Sequence, residues 1–315
     1  MNKWHLALSL LGAIGALCLL YGFFIEPKRI HQRLVTVTIP VSHVTHLSRP
    51  LKVVFFSDIH IGPRTTEKDL ARQMQAIMQN EPDAIIFGGD LVEEATPLGD
   101  NAFSSMATSA LASLKAPLGK WAVFGNHDLE APRFRQWTEE ILKASGFTIL
   151  ENEGICLDGL PVWCFEDALH GAPALDADGT SLLPQENIEN ISRKRDQDKT
   201  DTQQSGSGSD APFTLFISHE PDTALLCQAA GATGLMLSGH SHYGQVTLFG
   251  LPIVRVPGAK HFVKGDYDAG PDFKLIISAG LGTVHIHARF FAKPDIVTVV
   301  FQPSTTATEI TYSFK

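Results

Sequence analysis

Cysteine is scarce in this chain: four in 315 residues, at positions 18, 156, 164 and 227, with no Cys-x-x-Cys pair. Three of them lie outside the first apolar segment, an odd number that does not read as a disulfide framework and favours a reducing compartment. A basic excess is missing too. Lys and Arg number 25 against 34 Asp and Glu, a net charge of −9, which argues against a surface that grips nucleic acid. Charge of either sign is absent from Trp4 to Ile25, a run of Leu, Ala, Gly and Phe long enough to cross a bilayer. No small-residue cleavage site follows before Glu26-Pro27-Lys28-Arg29, so residues 4–25 read as an uncleaved transmembrane anchor rather than a signal peptide. Lys28, Arg29 and Arg33 follow the span and only Lys3 precedes it, which puts the rest of the chain on the cytoplasmic face of the membrane.

What is present is a repeated local pattern. Ala84-Ile85-Ile86-Phe87 is an apolar run that stops at Gly88-Gly89 and presents Asp90. Three other runs end the same way, at Ser57-Asp58-Ile59-His60, at Gly125-Asn126-His127-Asp128 and at Gly239-His240-Ser241-His242. A fifth, Phe213–Ile217, leads to Ser218-His219. Short apolar runs of this kind predict buried strands. Between them, Thr66 with Asp69 predicts a capped helix with Leu70, Met74 and Ile77 on its buried face, and Pro132 opens another. A looser helix is expected near 107–115, and Asp222 is expected to cap a short helix running through Cys227.

Strand–helix–strand order predicts an α/β layout, in which ligands gather beyond the C-terminal strand ends. Asp158-Gly159 predicts a hairpin that pairs Cys156 with Pro161 rather than with Cys164. A second hairpin is expected around Gly250-Leu251-Pro252. Residues 176–211 lose all apolar period and include Ser205-Gly206-Ser207-Gly208-Ser209, which predicts a flexible insertion. Residues 34–315 otherwise read as one catalytic domain.

The strand ends deliver Asp58, His60, Asp90, Asn126, His219, His240 and His242, with His127 and Asp128 alongside. Singly, each has an ordinary explanation: a helix cap, a turn former, a core hydrogen-bond donor. Jointly, carboxylate, imidazole and amide oxygen without thiolate form a ligand set for divalent ions. Seven ligands are too many for one tetrahedral ion and suit two ions sharing a bridging carboxylate.

These motifs, in this order over residues 51–302, resemble those of the calcineurin-like metallophosphoesterases. The resemblance implies two packed mixed β-sheets flanked by helices, a four-layer αββα sandwich. It implies one metal held by Asp58, His60, Asp90 and His242 and another by Asp90, Asn126, His219 and His240, the pair being Mn, Fe, Zn or Mg. A water bridging the metals would attack the phosphorus in line. His127 would protonate the leaving oxygen, and Asp128 would orient His127. The anchor, Gly244-Gln245, Gly280-Leu281-Gly282-Thr283 and Arg289 resemble the membrane-associated bacterial branch, which places the chain in the inner membrane. Arg289 and His287 then become phosphate contacts, and Tyr243, where a glycine is common, narrows the space near His242.

The reading is thus a membrane-anchored phosphodiester or pyrophosphate hydrolase whose substrate is a lipid- or nucleotide-linked phosphate. A UDP-2,3-diacylglucosamine pyrophosphohydrolase of lipid A synthesis is the specific alternative within that branch. An inactive scaffold of the same fold is the alternative from another class.

Overall fold

The charge-free run forms helix α1 (Lys3–Leu20), extended by a π-helical turn at Tyr21–Ile25 and a 3-10 turn at Glu26–Lys28. Residues 7–28 are long and apolar enough to cross a membrane, and the rest of the molecule covers almost none of them. The computed structural model describes residues 3–44, 47–175 and 212–315. The insertion expected at 176–211 lies outside the described residues.

Beyond the helix come β1 (His31–Pro40), β2 (Leu51–Phe56), α2 (Glu67–Met78), β3 (Ala84–Phe87), α3 (Asn101–Ala112) and β4 (Lys120–Ala122). The short α4 (Asn126–Leu129), α5 (Pro132–Ala144) and β5 (Thr148–Ile149) precede a hairpin of β6 (Glu153–Leu157) and β7 (Leu160–Cys164). Then follow β8 (Thr214–Ile217), α6 (Ala224–Ala229), β9 (Gly234–Ser238), and the small hairpin β10 (Thr247–Leu248) and β11 (Leu251–Pro252). Strands β12 (Asp266–Gly270), β13 (Phe273–Ile277), β14 (Asp295–Ser304) and β15 (Thr311–Phe314) close the chain.

The strands form two mixed sheets. One runs in the order β15-β1-β14-β2-β3-β4-β5 and the other β12-β13-β9-β8-β7-β6. Strand alternation explains how they stack. Val53 and Phe55 of β2 and Ile86 of β3 point into one core, where they meet Val162, Leu215, Leu235 and Ile276 of the second sheet. Val54, Phe56, Ile85 and Phe87 point the other way, onto Leu70, Met74 and Ile77 of α2 and Trp137 and Ile141 of α5. Phe216, Met236 and Leu275 of the second sheet pack outward against Ala224 and Cys227 of α6. Helices, sheet, sheet and helix make the expected αββα sandwich.

Local chemistry sets the boundaries. Thr66 and Asp69 form the reciprocal cap expected at the start of α2. Helix α3 begins earlier than its apolar spacing suggests, because Asp100 accepts from the amides of Ala102 and Phe103. Cys156 pairs with Pro161 across the Asp158-Gly159 turn, as the spacing predicts. The second small hairpin turns one step earlier than expected. Leu248 pairs with Leu251, and Phe249 and Gly250 occupy the turn with φ of 50° and 86°. Asp222 does not cap α6; its carboxylate accepts from the amides of Lys260, His261 and Phe262 and ties down that loop.

Candidate metal centre

Strands β2 and β3 run parallel in one sheet and β8 and β9 in the other, and the residues just beyond their C-terminal ends come together between the sheets. Each strand must turn abruptly there. Asp58, His60, Asp90, His240 and His242 all take positive φ, between 47° and 68°, a conformation costly for any residue with a Cβ. Strain of this kind at five positions is held by packing and hydrogen bonds around them. Glycines make room for the carboxylates: a Cβ on Gly125 or Gly239 would strike the Asp90 or Asp58 side chain.

The structure brings all seven expected ligands together, in two groups. Asp58, His60 and His242 form one, and Asp90, His219 and His240 the other, with donor atoms within 4.8 Å of one another in each. Asn126 joins the second group, its Oδ1 2.8 Å from His240 Nδ1. Asp90 stands between the groups, with Oδ2 3.5 Å from His60 Nε2 and 3.1 Å from His219 Nε2.

Hydrogen bonding decides what the cluster can hold. The carbonyls of Val92, Gly88 and Pro257 lie 2.9, 2.7 and 2.6 Å from His60 Nδ1, His219 Nδ1 and His240 Nε2. A carbonyl only accepts, so each ring donates its N–H outward and turns its other nitrogen inward. Those inner nitrogens face further acceptors. His240 Nδ1 lies 2.8 Å from Asn126 Oδ1, His60 Nε2 and His219 Nε2 lie 3.5 and 3.1 Å from Asp90 Oδ2, and His219 Nε2 is buried with no hydrogen-bond partner. Lone pairs facing lone pairs repel unless positive charge stands among them. Two divalent cations satisfy every member of the set, and the residues therefore fit a dinuclear centre.

Electrostatics agree. Burial holds His60 and His240 down, to about 3 and about 4, in the neutral form that ligates. Burial pushes the Asp90 carboxyl up, but the facing imidazole of His219 outweighs it and keeps Asp90 well below the usual range. Asp58 is lowered likewise, burial being overcome by His242 and His219. For His219 burial is outweighed by Asp90, Asp58 and Glu220, which raise it. The centre demands positive charge at that point, whether a proton or a metal ion supplies it.

His127 stands at the mouth, partly exposed, edge-on to His60 at 5.1 Å between ring centres. Its expected partner is elsewhere. Asp128 is fully buried and spends its carboxylate on the amides of Asp90, Leu91, Val92 and Gly125 and on the Thr138 hydroxyl. The carboxylate nearest the His127 ring is Glu130, at 3.5 Å. Asp128 therefore orders the backbone beneath the ligands and does not orient the imidazole.

Arg289 is not placed to contact a phosphate either. It is fully buried, and its guanidinium donates to the carbonyls of Ala279, Gly280, Gly282 and Ala292 and lies 3.3 Å from His242 Nδ1, behind that ligand. No face is left for a phosphate. Arg289→Ala should cost about 3 kcal/mol of stability through unpaired buried carbonyls, read as a lower melting temperature. A raised KM with melting unchanged would restore the phosphate contact. Tyr243 does not narrow the site either: its hydroxyl donates to the Ile277 carbonyl and accepts from Arg33.

The sequence alone did not point to Glu93, three residues beyond Asp90. It is buried beside His287 and Arg64, and burial raises its carboxyl. Its signal was the continuation Leu91-Val92-Glu93 of the same strand-end motif. A cleft of about 410 Å³ runs from His60, Glu93 and His287 past Arg64 and Arg72 to Phe23, Phe24 and Lys28 at the end of the apolar helix.

The family model described as calcineurin-like phosphoesterase matches residues 51–244. An uncharacterized metallophosphoesterase of Bacillus subtilis (strain 168), YkuE, is 30% identical over 308 residues, covering 94% of this chain and 96% of its own. The chain therefore belongs to the calcineurin-like metallophosphoesterases, hydrolases acting on phosphoester bonds. A Bos taurus protein described as a transmembrane protein with metallophosphoesterase domain is 26% identical, covering 85% of this chain and 56% of that protein. Among solved structures, TT1561 of Thermus thermophilus overlaps with a TM-score of 0.39 at 12% identity, covering 73% of this chain and 90% of that one.

Proposed function

We propose that the chain is a membrane-anchored phosphoesterase that hydrolyses a phosphodiester or pyrophosphate bond in an amphiphilic substrate. The observation that carries this reading is the cleft that joins His60 to Phe23 and Phe24. A phosphate at its inner end lies against the metal-binding groups, while an apolar substituent follows the helix toward the bilayer. Residues 4–25 serve as the anchor and 34–315 as the catalytic domain. The cytoplasmic face of the inner membrane is the side proposed.

Asp58, His60, Asp90 and His242 would hold one cation, and Asp90, Asn126, His219 and His240 the other. Mn, Fe, Zn and Mg all suit this oxygen and nitrogen set. Bound together, two such ions supply Lewis acidity to a phosphoryl group and lower the pKa of water. The chain's own residues do the rest. The carbonyls of Val92, Gly88 and Pro257 fix the ring orientations before substrate arrives. His127, free of the metal groups and open to the mouth, donates a proton to the departing oxygen. Arg64 brings positive charge to the cleft wall, where Arg72 is paired with Asp69.

The test uses the full chain in detergent, loaded with Mn²⁺. It should hydrolyse an activated aryl phosphodiester and lose that activity to chelator, with recovery on adding metal back. UDP-2,3-diacylglucosamine offered beside a water-soluble UDP-sugar separates lipid-linked from nucleotide-linked specificity. Activity indifferent to chelation would overturn the two-metal reading, and equal rates on both UDP compounds would overturn the amphiphilic one.

A further inference from the structure

The β10–β11 hairpin exposes apolar side chains that a soluble surface would cover. Leu248, Phe249, Leu251, Ile253 and Val254 are 58%, 83%, 71%, 66% and 63% exposed. Scattered exposed apolar residues are ordinary, but five within seven positions make a contiguous patch. Phe249 sits at the tip with φ of 50°, in a conformation that glycine or asparagine would hold at less cost. The turn thus presents its largest apolar group to the outside at the expense of backbone strain.

The patch continues into the end of the apolar helix. Phe249 packs on Phe291 at 6.3 Å between ring centres, Phe291 on Phe290 at 4.8 Å, and Phe290 on Tyr21 at 6.3 Å. Arg289 N donates to the Gly22 carbonyl, and Ala292 N to the Glu26 carboxylate, so this aromatic row is fixed to the helix end. Tyr21 stands where the charge-free run is about to give way to Glu26, Lys28 and Arg29, the level at which interfacial aromatics are favoured. The hairpin is therefore held beside the end of the helix, where the charge-free run stops.

Charge points the same way. The chain carries 34 acidic residues, yet none lies between Tyr243 and Gly265 or between Thr283 and Pro294. Besides the buried Arg289, those two segments carry Arg255, Lys260, Lys264 and Lys293. The carboxylates that reach these segments, Asp222 and Glu26, are spent on their backbone amides, and an apolar tip flanked by four cations is what an anionic lipid surface attracts.

We infer that the 247–254 hairpin dips into the lipid interface as a second membrane contact beside the helix. The inference rests on the proposed anchor, and its test separates the two. In the full chain with exposed Cys156 replaced by serine, an environment-sensitive fluorophore on native Cys18 reports the helix; Cys164 and Cys227 are buried. With Cys18 also replaced, the same fluorophore at F249C, or at L251C should that variant fold better, reports the hairpin. S105C, on the exposed side of α3, reports water.

In vesicles of phosphatidylethanolamine and phosphatidylglycerol, doxyl-labelled lipid should remove on the order of half the emission at the hairpin, as at Cys18, and iodide should reach only S105C. Iodide quenching at the hairpin with Cys18 still protected overturns the hairpin contact alone. Loss of lipid quenching at both overturns the anchor as well. A hairpin label shielded from iodide but not quenched by lipid overturns the inference in favour of a second copy of the chain on that patch.

Discussion

Asp90→Ala should empty both cation sites at once. Metal analysis of the purified variant should find neither ion retained, and hydrolysis should fall by about 10⁴-fold, roughly 5 kcal/mol of transition-state stabilisation. The reason is geometric: Asp90 Oδ2 lies within 3.5 Å of His60 Nε2 in one group and 3.1 Å of His219 Nε2 in the other. Its Oδ1 also accepts from the amide of His127, so His127, the proposed proton donor, loses its backbone support in the same variant. His60→Ala and Asn126→Ala remove ligands from one group each. Each should leave one ion per chain bound. An Asp90→Ala protein that keeps one ion would show that the two groups bind independently, and the shared role would be lost.

Asp128→Ala should unfold the site without touching a ligand. Four backbone amides and the Thr138 hydroxyl converge on that carboxylate, all buried. At about 1–3 kcal/mol for each buried donor left unpaired, partly relieved by relaxation, the loss is on the order of 5 kcal/mol. The melting temperature should fall sharply, with metal affinity falling because Asp90 and Gly125 lose their seats. His127→Ala provides the contrast: activity should drop while the melting temperature stays. If Asp128→Ala melted like the parent and lost only activity, Asp128 would be an acid–base partner after all.

How much of this was legible from residues alone follows a physical division. Strand ends that pass directly into polar residues can be read in the chain, because a buried apolar run and its terminal turn are local. Asp58, His60, Asp90, Asn126, His219, His240 and His242 were all found that way, and so was the α/β layout; the four-layer αββα sandwich came from the family resemblance. The Thr66–Asp69 cap and the Cys156–Pro161 register are likewise short-range. The misreadings share the opposite property. Asp128 and Arg289 took their site roles from the family resemblance. Their partners are for the most part backbone amides and carbonyls, which carry no signature in the side-chain sequence. Asp222 failed for the same reason: the amides it holds are those of residues 260–262, far along the chain. Glu93 was missed because its neighbours, Arg64 and His287, come from remote segments.

The fixed junction between the apolar helix and Arg289 has a mechanical consequence. Many tethered enzymes swing on a slack linker and sample every height above their membrane. Here Gly22 and Glu26 are bonded directly to Arg289 and Ala292, and Arg289 in turn grips Gly280 and Gly282, which crowd Asp58. Only a few residues separate that junction from β1. On the proposed anchor, the catalytic edge then rides at one stand-off distance and one tilt, like a tool in a rigid mount. Substrates would be sorted by how far their phosphate projects from the lipid plane as much as by what is attached to it.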